Sequence, residues 1–150
     1  MGPRPRYCRS LSYRCSHWLM RSANWFNLSI LLISLLFYAA NRFSRLFTSI
    51  PHLASFFRFH FNDYLGAIVF IAYLNLLLVA GKRSVCVRFP LLLIWAGVLS
   101  LMWEGVAPLI LPYSTADWLD CLAYFLGVTT YWLLWRLYQK HHLHKQRGGP

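Results

Sequence analysis

Four carboxylates are all the acid this chain carries: Asp63, Glu104, Asp117 and Asp120. Such groups serve as general acids and bases, or as ligands for a proton or a cation. Asp117 and Asp120 are spaced to share one face of a helix. Glu104 stands in the run Trp103-Glu104-Gly105-Val106-Ala107-Pro108, inside an apolar stretch where a lipid-facing carboxylate is costly. Pro108 cannot donate to the carbonyl of Glu104, so the helix should bend there and set a freed carbonyl beside the carboxylate. Such a break is tolerated only where protein or a water-filled cavity covers it. Nucleophilic catalysis finds no support. His52 and His60 fall in a loop, the other four histidines lie near the ends, and none has an evident serine or cysteine partner. Cys8, Cys15, Cys86 and Cys121 lack the close paired spacing of a disulfide framework or a zinc site. No catalytic residue and no cofactor are assigned, and metal binding stays open. A metal-assisted hydrolase of a lipid headgroup is the weakest functional reading.

A membrane fold must position these groups. Of the 150 residues, 58% are hydrophobic, 18% aromatic and only 13% charged, about half the charged fraction of an average soluble domain. That leaves too little polar surface to cover a water-exposed globule. Apolar runs at about 25–40, 64–81, 89–111 and 118–138 each approach the roughly 20 residues needed to cross the hydrocarbon. With both termini in the cytoplasm, 12 Lys and Arg residues lie inside and three outside, so the positive-inside rule selects that orientation. The expected fold is all-α, a single integral membrane four-helix bundle in the inner or plasma membrane, with basic cytoplasmic tails at 1–24 and 139–150. Residues 41–62 interleave six phenylalanines with Arg42, Arg45, Arg58, His52 and His60, which suits an interfacial anchor or a gate over a headgroup site. Within that loop, Pro51 suits the first turn of a short helix with Ser49 as its N-cap. Membrane lipids are the partners implied by a net charge of +11. No nucleic-acid-binding motif is present.

Alternating span direction assigns each acid a depth and brings all four to the outer half. Capping is the plain alternative for two of them. Asn62 and Asp63 can cap the second span, and Ser114 to Asp117 has the form of a capping box. Asn75 reads as an interhelical hydrogen-bond donor rather than a ligand. Gly66, Gly97, Gly105 and Gly127 would permit close helix contacts.

From Glu104 to Gly127 the chain resembles the VanZ-like family of small bacterial membrane proteins, associated with glycopeptide resistance. The matching residues are Glu104, Pro112, Asp120 and Gly127, preceded by Asn62-Asp63-Tyr64 with Tyr73. The chain departs from the family pattern at Ala107, at Tyr124 and in a turn without arginine. A likeness also exists to small membrane proteins labelled as citrate–magnesium transporters. The VanZ-like resemblance implies a cell-envelope protein whose outward-facing acidic pocket binds a lipid-linked or glycan headgroup. Glu104, Asp120, Asp117, Asp63 and Asn62 are its expected ligands, with Arg58, or Arg42 or Arg45, from the loop supplying positive charge. Two alternatives stand beside it. One is a small proton- or cation-coupled transporter, which with four spans would need a homo-oligomer; the other is a structural or assembly protein.

Overall fold

The computed structural model describes residues 7–44, 54–111 and 117–147, and within them the side chains of 22–43, 56–57, 59–111 and 117–141. Every described element is helical: α1 (Tyr7–Ser44), α2 (Ala54–Phe59), α3 (Phe61–Ala80), α4 (Phe89–Ser100), a π-helical turn (Leu101–Val106), α5 (Ala107–Ile110) and α6 (Trp118–Arg147). The fold is all-α. Because α4, the π turn and α5 follow one another without a break, four long rods result.

Three stretches are long and apolar enough to cross a membrane: Ser22–Phe43, Phe61–Ala80 and Phe89–Ile110. Helix α6 is not among them. Asp120, three tyrosines or threonines near its middle and Trp118, Trp132 and Trp135 dilute its apolar content. Exposed side chains on the rods are nevertheless large and apolar, including Leu36, Phe37, Ile94, Leu109, Leu126 and Leu137. An apolar exterior of that extent suits lipid rather than water.

The outer rods exceed the spans expected for them. Helix α1 starts at Tyr7 rather than near Trp25 because neither Pro nor Gly occurs between Arg6 and Ile50 to interrupt it. Helix α6 runs to Arg147 for the same reason, with Gly148 the first breaker after Gly127. Much of both basic tails is therefore helical. In the aromatic loop, α2 supplies a short helix, while Ser49 and Pro51 lie outside the described residues.

Pairwise contacts give the rod directions. His60 meets Asp120, Asp63 meets Tyr124, and Asn75 meets Tyr131, so α3 and α6 run parallel. Asn41 meets Asn62 while Ser22 meets Tyr138, so α1 is antiparallel to both. Phe89 packs on Trp132 and Glu104 lies near Tyr124, which makes α4 antiparallel to α6.

The core lies where α1, α3 and α6 meet. Phe26 makes edge-on contacts with Tyr131 and Trp135 at centroid distances of 5.9 and 5.1 Å. Beside these rings, Tyr131 donates its hydroxyl to Asn27 Oδ1 at 2.6 Å and accepts from Asn75 Nδ2 at 2.7 Å. Asn75 also accepts from the Cys86 N–H and donates to the Cys86 carbonyl. Asn75 thus acts between helices, as its position in an apolar span suggested. Of the four glycines expected to allow close contact, only Gly127 meets another helix. A Cβ there would fall 2.4 Å from the Tyr64 carbonyl oxygen, whereas Gly66 and Gly97 face open space and Gly105 meets its own helix's Leu101.

Candidate functional site: an acidic cluster at one end of the rods

The close approach of α3 and α6 at Gly127 brings their N-terminal ends together. His60 is the single residue between α2 and α3. Its N–H donates to the Phe56 carbonyl and its own carbonyl accepts from Tyr64, so the backbone passes almost helically through it. That fixed backbone points the imidazole toward α6, where Nδ1 lies 2.5 Å from Asp120 Oδ1. The imidazole is 11% exposed and the carboxylate 19%, so water screens the pair little.

One turn further along α6, the Tyr124 hydroxyl donates to Asp63 Oδ1 at 3.2 Å and lies 3.5 Å from Glu104 Oε1. A single hydroxyl proton links α3 and the π turn through α6. Glu104 makes a second connection: its Oε2 accepts the Asp117 N–H at 2.8 Å. Asp117 in turn accepts the Leu119 N–H on Oδ1 at 2.9 Å, which makes Asp117 itself the N-cap of α6. The expected capping box would have placed Ser114 in that role; Ser114 and Pro112 lie outside the described residues.

Where a bend was expected near Pro108, the rod carries a π turn over Leu101–Val106, which ends with the Ala107 N–H bonded to the Met102 carbonyl five residues back. Pro108 has no N–H for the Glu104 carbonyl, so the ordinary ladder cannot continue there. An extra residue per turn changes which face each side chain occupies, and such turns recur at functional sites.

Asp63, Glu104, Asp117 and Asp120 are therefore brought to one cluster. Asn62 is not. Its Oδ1 accepts from Asn41 Nδ2 at 3.0 Å, and the same amide donates to the Phe57 carbonyl, so Asn62 ties α1 to the start of α3. The Arg58 side chain and Arg45 lie outside the described residues, and Arg42 is exposed. Among the described side chains no lysine or arginine pairs with the four acids; the one ion pair is His60 with Asp120.

His60 and Tyr124 are two further members of the cluster. Their helical spacing was a usable signal: His60 is three residues before Asp63, and Tyr124 four after Asp120. Donor atoms of His60, Asp117 and Asp120 lie within 4.8 Å of one another, close enough to consider a shared cation. No family model, curated protein or solved structure matches the chain.

Proposed function

We propose that the chain is a multi-pass protein of the inner or plasma membrane. In this reading it is a four-helix bundle with cytoplasmic termini that binds a lipid-linked or glycan headgroup at an outward-facing acidic site. The VanZ-like resemblance is part of that proposal. The observation that carries it is the cluster itself: the chain's only four acids, from three separate segments, meet around Tyr124 and His60 at one end of the rods.

A second feature supports a lipid-borne ligand. An apolar groove of about 480 Å³, lined among others by Phe70, Val98, Met102, Trp103, Val106 and Ile110, follows the rod that carries Glu104. Such a groove accommodates an acyl or isoprenoid chain, while hydroxyl groups of a sugar can donate to the carboxylates. The charge balance of the fourth rod also favours spanning. A loop without Lys or Arg precedes it and four basic residues lie at its far end.

The break at Pro108 favours one alternative, a proton- or cation-coupled transporter working as an oligomer, because Pro108 has no N–H to give the carbonyl of Glu104, whose carboxylate belongs to the acidic cluster. Cation-dependent flux in proteoliposomes that vanishes with Glu104→Gln would select it. A structural or assembly role leaves the acidic cluster without a use. The headgroup reading is tested in a strain in which deletion changes sensitivity to envelope-directed antibiotics. Glu104→Gln should reproduce the deletion at an unchanged protein level; wild-type sensitivity with that variant would contradict the proposal.

A further inference from the structure

We propose that His60, Asp117 and Asp120 bind a divalent first-row metal ion, Zn²⁺ or Mn²⁺. One imidazole nitrogen and two carboxylates form a mixed donor set: the imidazole suits Zn²⁺, the carboxylates also suit Mn²⁺, and the nitrogen sets the site apart from the all-oxygen sites of Mg²⁺ or Ca²⁺. The three donor atoms lie within 4.8 Å of one another. Zinc bonds of roughly 2.0–2.2 Å in a tetrahedral arrangement put donors roughly 3.3–3.6 Å apart. Metal entry therefore replaces the 2.5 Å hydrogen bond between His60 Nδ1 and Asp120 Oδ1 with two metal bonds, parting these atoms by about 1 Å, while carboxylate rotation closes the wider separations by a similar amount.

His60 and Asp117 are held in place by hydrogen bonds of their own. His60 is only 8% exposed and is fixed by backbone hydrogen bonds on both sides. Asp117 uses one oxygen on the Leu119 N–H and keeps the other available. Its position is set in turn by Glu104, which accepts its N–H, in the way that outer-shell partners orient metal ligands.

Three protein ligands leave at least one coordination position for water or a ligand oxygen. A bound dication would also place positive charge in a cluster where no described lysine or arginine supplies it. Phosphate or pyrophosphate oxygens could then enter a site that its bare carboxylates would repel. The metal site does not depend on the headgroup reading, since metal binding is measured with the ion alone.

The test uses the full chain in nanodiscs, treated with chelator and titrated with ZnCl₂ by calorimetry and with MnCl₂ by electron paramagnetic resonance, with MgCl₂ for comparison. His141, His142 and His144 in the C-terminal segment could also take up zinc, so a variant with all three changed to alanine is measured in parallel. One site should persist in that variant. His60→Ala and Asp120→Asn should each weaken it by about tenfold or more, and should abolish the rise in melting temperature that zinc gives. X-ray absorption at the zinc edge of the unsubstituted site is the measurement that does not depend on variants folding. It should show oxygen donors with a single imidazole. Absence of a site in the wild type, its loss with the C-terminal histidines alone, or a shell containing sulfur or several imidazoles would overturn the proposal.

Discussion

Gly127→Ala should unfasten the pair of helices that assembles the acidic cluster. The new Cβ would fall 2.4 Å from the Tyr64 carbonyl oxygen and 2.9 Å from the Ala67 Cβ. Comfortable contacts between such atoms are about 3.5–4.0 Å. Neither obstacle can swing aside, since one is backbone and the other a methyl group fixed to it. The helices must therefore separate by about 1 Å at this level. Overpacking of this kind costs roughly 1–3 kcal/mol. The separation also reaches the cluster: the Tyr124 to Asp63 hydrogen bond, already 3.2 Å long, would pass out of bonding range. Reversible unfolding in bicelles, followed by tryptophan fluorescence, measures the loss. Gly66→Ala is the matched control, because its Cβ meets nothing within 4 Å and alanine's helix propensity should make it neutral or stabilising by up to about 1 kcal/mol. Equal stability of the two variants would refute the close approach of α3 and α6.

Three further outcomes are expected. Tyr131→Phe removes the hydroxyl that bonds both Asn27 and Asn75 inside the core, and should cost about 1–2 kcal/mol in the same unfolding assay. Lys82 closes α3 in a left-handed conformation, φ 55°, with the Arg83 N–H returning to the Leu78 carbonyl. Lys82→Gly should therefore stabilise by roughly 0.5–1 kcal/mol, and a destabilised protein would argue against that turn. Burial pushes the Cys86 thiol up. In a variant retaining Cys86 alone, maleimide labelling should be slower than in one retaining the less buried Cys121. Because the thiolate reacts, its rate should also keep rising with pH beyond about 8.5, where an ordinary thiol is half ionised. Labelling at the rate of an exposed thiol would place Cys86 outside the core.

Much of the cluster could be reasoned out from the chain because alternating helices impose a simple rule on depth. Acids at the start of one rod, near the end of the next and at the start of the one after must come to a common level. Pro108 likewise announced a break beside Glu104, since a missing N–H is a local property. The identity of the break as a π turn was not legible, since a missing N–H does not say how many residues the neighbouring turn holds. His60 was hidden by its aromatic surroundings, which resemble an interfacial loop. Only the near-continuous passage of backbone from α2 into α3 fixes its ring toward Asp120. Tyr124 reads in the sequence as a departure from a family pattern, although its place one turn after Asp120 puts it on the acidic face. The glycines show the same limit, for Gly66 and Gly127 look alike in sequence and only packing separates them. Helix α6 shows the reverse case. Its tyrosines and threonines lower its apolar content, yet Tyr124, Val128 and Tyr131 are among the buried core.

A double-mutant cycle on His60 and Asp120 tests most directly whether the starts of α3 and α6 share one site. Unfolding free energies are measured in bicelles for the wild type, His60→Ala, Asp120→Asn and the double variant. A contact pair shielded from water should show a coupling energy of about 0.5–3 kcal/mol. Additivity to within about 0.3 kcal/mol would mean that the two side chains do not meet, and the single acidic site would fall with them.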